Sequence, residues 1–99
     1  MEITKTRDGG KLTVAVAGRL DTTTAPQLES SLNEDIDTAT ELVFDFADLE
    51  YISSAGLRVL LATQKVMNKQ GKMIILHANN EIKEVFDITG FSDILTLQD

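Results

Sequence analysis

The chain has 99 residues, a formal net charge of −7, one histidine and no cysteine, which predicts one domain over residues 1–99 and excludes a disulfide framework or a thiolate zinc site. The acidic balance argues against nucleic acid, whose binders need a basic face. No basic stretch precedes an apolar run at the start, and no run approaches the roughly 20 apolar residues of a membrane span, so a cytoplasmic protein without a membrane span is expected.

Residues 1–7 alternate loosely around Ile3, and Asp8, Gly9 and Gly10 form a strong turn signal. Leu12, Val14 and Val16 alternate in the strand that follows, to Leu20, so the first two strands read as an antiparallel hairpin. Gly18-Arg19-Leu20-Asp21 leaves that strand. Thr22, Thr23 and Thr24 are candidate caps, and Pro26 suits a first helical turn. Ala25, Leu28, Leu32 and Ile36 give a helical stripe to about Asp37. Leu42, Val43, Phe44 and Phe46 then form a short strand over 41–46, broken by Asp48-Leu49-Glu50.

From Leu57 the apolar spacing turns helical, predicting a helix from about Ser54 to Gln70 with Gly71 as its stop. Arg58, Lys65, Lys69 and Lys72 are placed on one stripe opposite its apolar face. Met73 to Leu76 make a buried strand over 72–77. Asn79-Asn80 opens a short helix carrying Ile82, Val85, Phe86 and Ile88 to near Gly90, and 94–97 forms a last strand. The order β-β-α-β-α-β-α-β predicts an α/β fold with a mixed, mainly parallel sheet, an N-terminal antiparallel hairpin and helices mainly on one face.

Between strand and helix lies Ile52-Ser53-Ser54-Ala55-Gly56. Ser54 stands where an N-cap belongs, its hydroxyl accepting from the orphan amides of the first turn. A phosphate added there would meet amide donors and the positive end of the helix dipole. Small side chains at Ala55 and Gly56 would leave that turn open to a partner. Asp21 reads either as a polar partner contact or as an Asx turn ahead of the threonines. Asp48 reads either as a turn or as a residue shaping the loop. No Lys or Arg occurs between Arg19 and Arg58, where nine carboxylates fall. This run is either a solvated acidic surface or one that steers a basic partner.

The run DLEYISSAGLRVLL resembles the signature of the anti-sigma-factor antagonists, the single-domain members of the STAS family. Their pattern is an Asp-Leu pair, a short apolar link, Ser or Thr, a small residue, Gly, then Leu or Ile. GRLDTTTAPQLESSL is similar to the family's Gly-x-Leu-Asp segment and the helix after it. The resemblance covers nearly the whole chain and implies a STAS-like fold. It also implies that Ser54, two places before Gly56, is the phosphorylation site. The best-studied members carry Asp just before that serine; Ser53 stands there in this chain and is the runner-up acceptor. Partner-binding residues implied alongside are Asp21, Thr22, Thr23, Asp48, Ser53, Ala55, Gly56 and Arg58.

The function implied is a binding module, monomeric when free. Unphosphorylated, it would sequester an anti-sigma factor that doubles as a serine kinase, releasing a sigma factor; a serine phosphatase would reset it. ATP and magnesium would belong to the kinase, so no cofactor and no catalytic residue is expected in this chain. One alternative is a STAS subunit of a transporter or larger signalling complex whose Ser54 is never modified. Another is a small serine hydrolase using Ser54 and His77. The nucleophile elbow, however, needs Gly two places before the serine, where Ile52 stands. With a single histidine no metal site is expected, and no phosphate-binding glycine loop is present.

Overall fold

The sheet is built around one long strand. In the computed structural model, which describes residues 1–98, β2 (Lys11–Leu20) buries Leu12, Val14 and Val16 and leaves Thr13, Ala15 and Ala17 half-buried. This is the period-2 alternation of a strand with one covered face. β1 (Glu2–Asp8) pairs with it antiparallel, in register from Glu2 opposite Ala17 to Asp8 opposite Lys11. On its other side the first half of β2 pairs in parallel with β3 (Glu41–Asp45). β5 (Lys72–Leu76) pairs with β3 and β6 (Leu97–Gln98) with β5, also in parallel, giving the order β1-β2-β3-β5-β6.

The second half of β2 has its own partner, β4 (Leu49–Ile52), with Leu20 opposite Ile52 and a register shift between Gly18 and Arg19. This strand lies where the sequence pattern indicates a break after Phe46. It is four residues long, and only Leu49 and Ile52 face inward. Pairing with β2 makes it a strand.

Helices α1 (Ala25–Asn33), α2 (Ser54–Gln70) and α3 (Asn80–Thr89) cover one face. Leu28, Leu32, Leu57, Leu60, Met67, Ile82 and Phe86 join Leu12, Val14, Val16, Leu42, Phe44, Met73 and Ile75 in one cluster. The opposite face, with Thr13, Val43 and Ile74 in one cross-strand row, carries no helix among the described residues. The mixed sheet with an N-terminal hairpin and helices on one face is thus as expected.

Other boundaries move. α1 stops at Asn33 and not near Asp37; Ile36 is buried from a separate 3-10 turn, Ile36–Thr38. Lys72 belongs to β5 and not to the helical stripe. The last strand is Leu97–Gln98, after a 3-10 turn over Phe91–Asp93.

The C-terminal end of α2 is firmly tied. Gln70 Nε2 donates to the carbonyls of Ile36 and Ala39 at 2.6 and 2.7 Å. Lys72 N donates to Thr40 O at 3.1 Å. A Cβ at Gly71 would stand 1.8 Å from Thr40 O, so this turn admits only glycine without a backbone shift.

Candidate functional site

β2 and β4 run side by side and end together, and where they stop α2 begins. Ser53 N donates to Leu20 O at 2.9 Å, fastening the entry to the helix. The N-cap is Ser53 and not Ser54. Its backbone is extended (φ −102°, ψ 177°), and its carbonyl accepts from Leu57 N at 2.9 Å. Its side chain makes no cap hydrogen bond, and Oγ is buried without a partner among the described residues. Ser54 is the first helical residue and is exposed. The two adjacent hydroxyls therefore occupy opposite environments.

Gly56 also departs from its expected role. It is buried, and a Cβ there would stand 2.7 Å from Leu20 Cγ and 2.8 Å from Ile52 Cγ1. Its missing side chain lets the first turn settle on the strand ends; it does not open that turn to a partner. The accessible part is different. Thr22, Ala55 and Arg58 line a shallow cavity of about 370 Å³ between the starts of α1 and α2, together with Pro26 and Glu29.

Asp21 forms an Asx turn, Oδ1 accepting from Thr23 N at 3.0 Å and Thr24 N at 3.1 Å. Thr24 Oγ1 accepts from Asp21 N at 2.9 Å and donates to Arg19 O at 2.8 Å. The hydrogen bond from Thr24 N is the main reason the Asp21 carboxyl sits below its ordinary range; Arg19 adds to it. Thr22 and Thr23 are exposed beside this turn.

Arg19 and Tyr51 are the residues that sequence reasoning missed. They lie opposite each other across β2 and β4, and the guanidinium sits 4.2 Å from the Tyr51 ring centroid. Arg19 Nε is also 3.8 Å from Asp21 Oδ2. The signal was hidden because the register exists only once β4 is recognised as a strand.

Asp48 is not brought to this group. All of β4 separates it from Ser53; its carbonyl accepts from Gly18 N at 3.0 Å. It lines a wide, acidic concavity with Glu50, Asn79 and Glu81 instead. Several carboxylates of the long acidic run are already paired. Lys5 holds Glu34 and Asp35 at 3.0 and 2.7 Å, and His77 Nδ1 lies 3.0 Å from Asp45 on the uncovered face. That contact leads the causes that lower the Asp45 carboxyl. Among the described residues no group of three or more His, Asp or Glu could hold a metal ion, and no helix is long and apolar enough to cross a membrane.

A family model for the STAS domain matches residues 2–99. The chain belongs to the STAS domain family. BtrV of Bordetella bronchiseptica is 35% identical over 96 residues, 95% of this chain and 83% of that protein. The anti-sigma-B factor antagonist of Bacillus subtilis is 34% identical over 85 residues, covering 85% and 78%. Among solved structures, an anti-sigma factor antagonist from Mycobacterium paratuberculosis matches with a TM-score of 0.87 at 26% identity over 97% of this chain and 83% of that one. Unphosphorylated SpoIIAA, an anti-sigma factor antagonist, shares the fold with a TM-score of 0.79 at 18% identity, covering 99% and 88%.

Proposed function

We propose that this STAS domain is an anti-sigma factor antagonist switched by phosphorylation of Ser54. Unmodified, it captures an anti-sigma factor that is also a serine kinase; the phosphate releases that partner, and a serine phosphatase resets the switch. The exposure of Ser54 beside the buried hydroxyl of Ser53 carries this reading, because a kinase needs an accessible oxygen. Relatives named anti-sigma-B factor antagonists support the same reading. Thr22, Ala55 and Arg58 form the contact surface, with Asp21 and Thr23 at its rim. The protein acts in the cytoplasm, as a monomer when free.

A phosphoserine brings roughly −1.5 to −2 charges. At a helix N-terminus a negative charge stabilises by about 0.3–1 kcal/mol, so the fold stays intact and the effect falls on the partner. The domain works as a binding module, like the relatives named anti-sigma-B factor antagonists, and its one histidine, His77, is paired with Asp45. The test is incubation with the cognate kinase and ATP, followed by fragment mass spectrometry and partner affinity before and after. One phosphate on Ser54 with lost affinity is expected. Phosphate solely on Ser53, or affinity unchanged by phosphate on Ser54, overturns the reading.

A further inference from the structure

Two cations flank the start of α2, and they differ in what they already hold. Arg19 is stacked on Tyr51 and lies beside Asp21. Arg58 is exposed and has no hydrogen bond or ion pair among the described residues. It stands four residues after Ser54, also exposed, on the same helix. Residues so spaced face each other with Cβ atoms about 5–6 Å apart. Long helical side chains also lean back toward the helix N-terminus. The cavity that Arg58 shares with Ala55 and Thr22 places it beside that first turn.

We propose that Arg58 holds the phosphate on Ser54 as an ion pair within the same helix. The phosphate then adds charge to the contact surface and also withdraws the guanidinium that a partner's carboxylate would meet. The pair rests on Ser54 as the acceptor. Other charged groups near it are Glu29, which shares the cavity from α1, and Asp21, already beside Arg19 at the end of β2. Glu29 offers a single negative charge, against nearly two on a phosphate whose oxygens match the guanidinium fork.

Phosphoserine encoded genetically at position 54 tests the pair without any kinase. Its second ionisation is followed by phosphorus NMR against pH in the native background, Arg58→Gln and Arg19→Gln, with melting curves to confirm that each variant folds. A cation beside the dianion lowers the midpoint, so Arg58→Gln should raise it by about 0.15–0.4 pH unit, the shift corresponding to a helical ion pair. Arg19→Gln should leave it in place. An unmoved midpoint in Arg58→Gln, or a rise only in Arg19→Gln, overturns the pair. The outcomes separate from those of the switch. A kinase that ignores Ser54, alongside an Arg58-dependent midpoint, sinks the switch and keeps the pair. Phosphate on Ser54 that abolishes binding, alongside an Arg58-independent midpoint, does the reverse.

Discussion

The two ends of α2 are finished in opposite ways. At its C-terminal end Gln70 satisfies two carbonyls of a neighbouring segment, and Gly71 lies against Thr40. At its N-terminal end a buried hydroxyl has no partner among the described residues, an exposed hydroxyl follows it, and a guanidinium unpaired among those residues stands one turn on. One end spends its polar groups on the fold; the other leaves them unsatisfied or exposed.

Substitutions at the two ends should therefore differ in kind. The largest effect is expected for Gly71→Ala, whose Cβ would press on the Thr40 carbonyl. A loss of about 3 kcal/mol is expected in urea unfolding, and a near-native midpoint would show that the end is pliant. Gln70→Ala should cost about 1–3 kcal/mol in the same assay, because the Ala39 carbonyl loses its side-chain donor and the Ile36 carbonyl keeps only Ala39 N. Ser53→Ala sharpens the contrast. Losing an N-cap serine usually costs about 0.5–2 kcal/mol, yet this hydroxyl caps nothing, so a change within about 0.5 kcal/mol is expected. A loss of the usual size would mean that the hydroxyl is paired in solution and that the two ends are alike.

The smallest effect is on acid stability. The folded carboxyl of Asp21 ionises below its ordinary value of 3.8. Its contribution is therefore complete above that value and fades as pH falls through the lower, folded one. Asp21→Asn keeps an acceptor for the Asx turn but removes the titration. Melting temperatures taken from about pH 5 down to about pH 2 should fall less steeply in the variant; parallel curves would show that the Asp21 charge adds nothing.

Much of this was legible in the sequence because it was local. Asp8-Gly9-Gly10 marks the hairpin turn, the Leu12-Val14-Val16 alternation marks β2, and Gly71 ends α2. What escaped depends on distant pairing or on single backbone angles. β4 has two inward residues and needs β2 to exist. Ile36 continues the spacing of Leu28 and Leu32, so nothing local says that the helix has already ended. Ser53 and Ser54 are chemically identical; only the extended backbone of the first makes it the cap and exposes the second. Gly56 is small in order to meet Leu20 and Ile52, two residues far apart in the chain.

The junction of β2 and β4 has a consequence for how the molecule breathes. It consists of three register pairs interrupted by a shift, whereas β2 and β1 share seven. Amides at the junction accordingly open in a smaller cooperative unit than those of the central strands, at lower free energy. A partner seated across Thr22 and the start of α2 bridges the segments leaving both strands, and its binding energy is added to the cost of each such opening. Occupancy is therefore recorded in hydrogen exchange: Tyr51 to Ser54 slow when the surface is covered and quicken when it is released, while β1 and β5 keep their own pace.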